Sequence, residues 1–243
     1  MRRLQNHIRE LLEAHPQFWV PGVSLCAWIT LLEKPPGVHA QVYCSLRSVE
    51  RATTFLALDL LYWGTMVMAM MVPLMLGQLR VVALSSGWSR RQLAIGWYLG
   101  GYLAAWLAVW LALKLGCALW MPPPAPAWCI AAGIFALACA WHFIPLKRRA
   151  AVRCHRRTPL PMAGWRADVV CLRYGMRNGV DCLVNCGPLM LAMIALPCSP
   201  ALMGVVMVCI VADRLPRPGQ RLLTPLLCAS LAVGCVLGPL LDP

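Results

Sequence analysis

A chain of 243 residues that is 60% hydrophobic and only 13% charged, with a mean hydropathy of +0.66, is too apolar for an ordinary soluble domain, whose apolar share is near half and charged share near a quarter. Lys and Arg number 22 against 9 Asp and Glu, a net charge of +13. They gather in the polar stretches between apolar runs, which assigns them to membrane topology and not to a nucleic-acid partner. The 13 Cys are odd in number and lie mostly inside apolar runs, so no disulfide framework is expected.

Residues 1–15 place Leu4, Ile8, Leu11 and Leu12 on one helical face with Arg, Glu and His between them, the pattern of a short amphipathic helix on a membrane surface. No apolar core directly follows the N-terminal charges, so the first span, not a cleaved peptide, is expected to act as the signal. Residues 16–243 then form a single membrane domain. Its apolar runs are 17–33, short and interrupted by Pro21 and Gly22, followed by 54–79, 92–116, 127–146, 180–197, 199–213 and 222–241. The expected architecture is an all-α, polytopic transmembrane bundle of about seven spans, or six if the first run does not cross. Pro73 is expected to kink the second span, and Asp59 is a carboxylate inside it, either functional or matched by a neighbouring cation.

The basic residues test this order. With the N-terminus cytoplasmic, the inner segments carry Arg2, Arg3 and Arg9, then Arg80, Arg90 and Arg91, then a basic loop at about 147–178, then Arg214, Arg217 and Arg221; the outer segments hold Lys34, Arg47 and Arg51. This is the distribution of a multi-pass protein of the bacterial inner membrane.

Sulfur chemistry is the main functional signal. Cys182, Cys186, Met190 and Met193 recur at i, i+4, i+8 and i+11, one stripe of an α-helix. Soft sulfur ligands select soft metals, Cu(I) above all, once the thiols are deprotonated. The competing reading is that Cys and Met are merely pliable apolar residues in an apolar helix. In the second span Met66, Met68, Met70, Met71 and Met75 spread round the helix, and Met70 lies at a depth comparable with Met190, so Met66, Met68 or Met70 could face Met190 and Met193 if their helices are neighbours. Cys154 lies among Arg residues, which predicts a depressed, thiolate-like pKa. His142, three residues after Cys139, is read as a helix cap. No nucleotide-binding glycine motif, catalytic triad or paired catalytic carboxylates occur, so metal handling is the chemistry that the residues suggest.

Several stretches, in order, resemble a family of bacterial multi-span proteins described as predicted metal-binding integral membrane proteins (domain of unknown function 2182). They are Trp63-Gly-Thr-Met-Val-Met-Ala-Met-Met-Val-Pro73, Gly101-Tyr-Leu-Ala-Ala-Trp106, Pro145-Leu-Lys147 with its downstream Cys154, and Gly179 through Cys182-Leu to Cys186 and Leu189-Met190. The family pattern has a further Cys where Ala150 stands and a Cys-Leu-Gly-Cys-Cys-Trp run where this chain reads Cys182-Leu183-Val184-Asn185-Cys186-Gly187. The resemblance therefore carries over Cys154, Cys182 and Cys186, and it implies metal binding without implying a reaction.

Three functions follow as expectations. The first is binding or handling of a soft metal, copper before others, through Cys182, Cys186, Cys154, Met190 and Met193, with Met66 and Met70 as further ligands. The second is an accessory subunit of a larger membrane metalloenzyme or electron-transfer complex, in contact with membrane lipids and other membrane subunits, with small residues that allow close helix packing at Gly100-Gly101, Ala104-Ala105 and Gly187. The third is a transporter, hinted at by Asp59 and by helices broken at Pro73 and Pro188.

Overall fold

The computed structural model describes residues 16–33, 52–120, 127–154, 164–195, 200–214 and 223–241. Among them the architecture is all-helical: α1 (Trp19–Leu32), α2 (Ala52–Met71), α3 (Leu76–Ser85), α4 (Arg91–Trp120), α5 (Ala127–His142), α6 (Pro145–Cys154), α7 (Trp165–Ala195), α8 (Pro200–Arg214) and α9 (Leu223–Leu241), with 3-10 turns at Pro73–Met75 and Trp88–Arg90. The amphipathic helix expected at 1–15 lies outside the described residues.

Among the described residues one helical stretch, Trp88–Gly116, is long and apolar enough to cross a membrane. Two bent pairs raise this to three if each counts as one span: Ala57–Met71 with Pro73–Ser85, bent by 46°, and Trp128–His142 with Pro145–Cys154, bent by 77°. Helix α1 and Thr224–Leu237 of α9 are apolar but shorter. Among the described residues, one to three helical stretches are thus of spanning length. Pro73 and Pro145 divide two of the apolar runs, and α7 opens with the charged residues Arg166, Asp168, Arg173 and Arg177 before its apolar end. Of the stretch expected as a basic loop at about 147–178, the described residues other than Gly164 are helical, in α6 and the first half of α7, because its arginines favour helix and α6 starts on Pro145, where a proline costs nothing.

The chain divides into two compact units. The first is built from Met1–Leu31, Leu61–Val109 and His155–Val180. In it α4 and α7 cross with backbone touching backbone. A Cβ at Gly175 would lie 1.9 Å from the Tyr98 carbonyl oxygen, one at Gly101 would lie 2.1 Å from that of Leu172, and one at Gly179 would lie 2.8 Å from Ala105 Cβ. Gly175 and Gly179 are four apart, the small-xxx-small spacing that lets helices approach closely. Gly101 and Ala105 therefore do what was expected of the small residues, whereas Gly100 and Gly187 face open space. Beside the crossing, the Tyr98 hydroxyl accepts from Asn178 Nδ2 at 2.7 Å, and its ring lies 5.3 Å from that of Tyr174. Pro73 breaks α2 as its sequence requires. The Ala69 carbonyl, which loses its i+4 partner to that proline, accepts from both Ser24 Oγ at 2.9 Å and Trp28 Nε1 at 3.0 Å.

The second unit is built from Leu32–Leu60, Trp110–Cys154 and Asp181–Pro243; in it α5 packs along α9, which also meets α8. Pro188 does not break its helix, contrary to the transporter reading: α7 runs through it. The Val184 carbonyl left without an i+4 donor accepts instead from Trp141 Nε1 of α5 at 2.7 Å. Asp59 is matched by Lys114 of α4 and accepts from Trp110 Nε1 at 3.2 Å, so of the hints of transport only the break at Pro73 is present. Lys147, buried on α6, donates to Asp213 of α8 at 2.7 Å, with His142 Nδ1 3.0 Å from its Nζ. His142 does end α5, and these partners hold it there.

Two outcomes test this packing. Gly175→Ala should cost about 1–3 kcal/mol by overpacking, while Gly100→Ala should be neutral or slightly stabilising; thermal melts of the detergent-purified protein compare them, and equal melting points would contradict the crossing. Trp141→Phe should cost about 1–3 kcal/mol by orphaning the Val184 carbonyl. In Pro188→Ala, where the helix can close its own bond, the same change should cost much less, so a double-mutant cycle showing simple additivity would count against the proline–indole pairing.

Candidate metal centre

Helix α7 carries the sulfur stripe. Cys182 and Cys186 are each 1% exposed, Met190 is 0% and Met193 is 1%, so all four positions that share a face by spacing point inward. The Cys186 thiol is hydrogen-bonded to Cys182, one turn away. From the end of α8, Arg214 Nη2 donates to Cys182 Sγ at 3.3 Å. With a rise of about 1.5 Å per residue, Met190 stands about 6 Å along the axis from Cys186, and Met193 about 10 Å.

Cys154 is brought to the same place from another element. Helix α6 buries Lys147, Ala150 and Cys154, at i, i+3 and i+7, and turns Arg148 and Arg149 outward. Arg153 Nε donates to Asp181 Oδ1 at 2.8 Å, fastening the residue before Cys154 to the residue before Cys182. The Cys154 thiol lies within electrostatic reach of Cys186 and Arg214. The depressed pKa expected of it is overturned. Burial pushes this thiol up to about 11, and the pull of Arg214 and Arg153 in the other direction is smaller. Proximity in sequence to arginines does not make a thiolate when the helix carries the sulfur inward and the guanidinium groups outward.

Met66 and Met70 are fully buried in the first unit, and Met190 and Met193 belong to the second. Among the described residues no three His, Cys, Asp or Glu side chains converge closely enough to hold one ion. The donor set is therefore a thiol pair, with Cys154 near it and two thioethers beyond. Such a set is too small for the tetrahedral site that structural Zn(II) takes, but two thiolates are a sufficient shell for Cu(I).

Two residues of this centre had no functional signal in the sequence. Arg214 reads there only as a topological charge after an apolar run. Asn185, 3% exposed between the two cysteines, has an Oδ1 with no hydrogen-bond partner among the described residues; a buried amide oxygen left over in this way marks a polar edge to the sulfur face.

A family model described as PpoB2, copper chaperone, matches residues 60–237. The chain belongs to the PpoB2 copper chaperone family. Copper handling is thus its general business, and the metal-related character implied by the resemblance stands. The matched range contains Cys154, Cys182, Cys186, Met190, Met193, Met66, Met70 and Arg214. No curated protein and no solved structure matches the chain.

Alkylation of the protein, followed peptide by peptide by mass spectrometry, checks the Cys154 environment. Its rate should keep rising with pH beyond 9.0, the ordinary thiol value, toward a midpoint of about 11. A midpoint at or below 9.0 would mean that the arginines, not burial, govern this sulfur.

Proposed function

We propose that this member of the copper chaperone family is a multi-pass protein of the bacterial inner membrane that takes Cu(I) between Cys182 and Cys186, near the cytoplasmic face. In this reading Cys154 is a third thiol from which the ion is received or to which it is passed, and Met190 and Met193 are thioether steps further along α7. The observation that carries it is the hydrogen-bonded pair of buried thiols one helical turn apart. Soft, two-thiol donor sets favour Cu(I) over harder ions, and thioethers hold it weakly enough to release it.

Several features support the membrane setting. Leu107, Leu111, Leu115 and Leu119 form an outward stripe along α4, and Leu25, Ile29 and Leu32 do so on α1. Such contiguous apolar surface suits lipid. Helix α6, with its outward Arg148 and Arg149 and its 77° turn from α5, suits a position along the anionic inner surface. A chaperone of this kind serves a copper-containing partner in the membrane and runs no reaction of its own, which brings the accessory-subunit reading and the metal-binding reading together. Met66 and Met70 act here as core of the first unit, flexible filler beside Trp63 and Val67.

Anaerobic titration of the full chain in mild detergent against a chromophoric Cu(I) chelator tests the assignment. The wild type should compete for Cu(I), and Cys182→Ser with Cys186→Ser should weaken binding by more than about 100-fold, the upper end of what losing an outer-shell partner alone costs. Unchanged competition by the double variant would remove Cu(I) from this pair.

A further inference from the structure

The first half of α7 has two faces. Ala167, Cys171, Tyr174 and Asn178 are buried on one, and Gly175 and Gly179 meet α4 beside them. On the side opposite Gly175, Arg166, Arg173 and Arg177 are all exposed. They are spaced i, i+7 and i+11, within about 40° of one another around a helix of 3.6 residues per turn. The carboxylates of this helix are engaged elsewhere, Asp168 by Arg90 and Asp181 by Arg153. A row of positive charge is thus presented outward, and the apolar side chains of Met176 and Val180 stand exposed along its flank.

The row also has a marked end. The contacts of Gly175 with Tyr98 and of Gly179 with Ala105 make α7 and α4 run in the same direction, and the Arg90–Asp168 pair brings their first turns together. Trp165 and Trp88 therefore stand at one end of the first unit, both exposed. Each carries a guanidinium over its ring, Arg166 at 5.8 Å and Arg91 at 4.2 Å. Exposed tryptophans gathered with cations at one end of a helix pair are what a membrane–water interface collects. An acidic protein surface would match the arginines and leave the apolar flank and the tryptophan end without a purpose. An amphiphile with an anionic head matches all three.

Resting on the inner-membrane reading above, we infer that this outward face of α7 is a binding site for an anionic phospholipid. Arg173 and Arg177 are one turn apart, about 6 Å along the axis, so both guanidiniums can close on one phosphate, to which their planar forks bond in pairs. Val180, further from the tryptophan end, lies with Met176 beside the start of the acyl chains. Arg166 adds charge toward the tryptophan end, where the headgroup meets water. The cytoplasmic leaflet supplies lipids of this charge, and the basic stretches of the sequence face that leaflet in the same reading.

Native mass spectrometry of the full chain in mild detergent, titrated with phosphatidylglycerol or with phosphatidylcholine of identical chains, tests the site. The wild type should bind the anionic lipid at least about tenfold more tightly than the zwitterionic one. Arg173→Gln with Arg177→Gln should abolish that preference and leave phosphatidylcholine binding as it was. Glycerol phosphate, the head without the chains, should not displace the bound lipid at equal concentration, which separates a lipid site from one for a soluble phosphate. A wild type without the preference, a preference that survives the double variant, or displacement by glycerol phosphate would each overturn the inference; the first two would return the face to an acidic protein partner. If the double variant does not fold, the wild-type preference and the glycerol phosphate competition still decide. A chain that stays dispersed in buffer without detergent or lipid would instead overturn the inner-membrane reading, and this inference with it.

Discussion

The hydrogen bond from Trp141 Nε1 to the Val184 carbonyl is the contact on which the centre depends. Pro188 stands between the two cysteines and the two methionines of α7 and deprives Val184 of its intrahelical donor. Were the helix to end there, Cys182 and Cys186 would have no reason to share a face with Met190 and Met193. An indole from α5 completes the carbonyl, the helix continues to Ala195, and one unbroken inward stripe of sulfur results. The same problem arises at Pro73, where Ser24 and Trp28 complete the Ala69 carbonyl. There the chain breaks into a 3-10 turn and bends, so the two prolines serve opposite ends with one device.

A second constraint is charge. In a chain this apolar, carboxylates are matched by cations brought from distant elements: Asp59 by Lys114, Asp168 by Arg90, Asp181 by Arg153 and Asp213 by Lys147. Where such a pair is buried it contributes little net stability, yet removing either partner is costly, so the pairs help fix which helix faces meet. The Arg153–Asp181 pair does this at the centre, since each member is the chain neighbour of a cysteine. Sulfur that looks scattered along the sequence is collected by ion pairs one residue away from it.

What could be read from the sequence, and what could not, divides along physical lines. Helical period alone placed Cys182, Cys186, Met190 and Met193 on one face, and the missing N–H of proline alone placed the bend at Pro73; both are local. The partner of Asp59, the role of Arg214 and the choice of Gly101 over Gly100 as the contact glycine depend on which helices adjoin, which periodicity does not encode. The Cys154 thiol failed for a subtler reason. Counting arginines by sequence distance ignores that a helix points successive side chains in different directions, and burial outweighed the charges that remained near. Hydropathy sums over runs such as 54–79 and 127–146, which Pro73 and Pro145 divide into shorter helices, so the run count does not by itself fix the number of spanning helices.

The account stands or falls on sulfur around copper, and X-ray absorption at the copper edge of the Cu(I)-loaded, detergent-purified protein addresses that directly. A low-coordinate first shell made only of sulfur, lost when Cys182 and Cys186 are replaced by serine, is the expected result. A first shell dominated by nitrogen or oxygen, or a sulfur shell that survives the replacement, would contradict it.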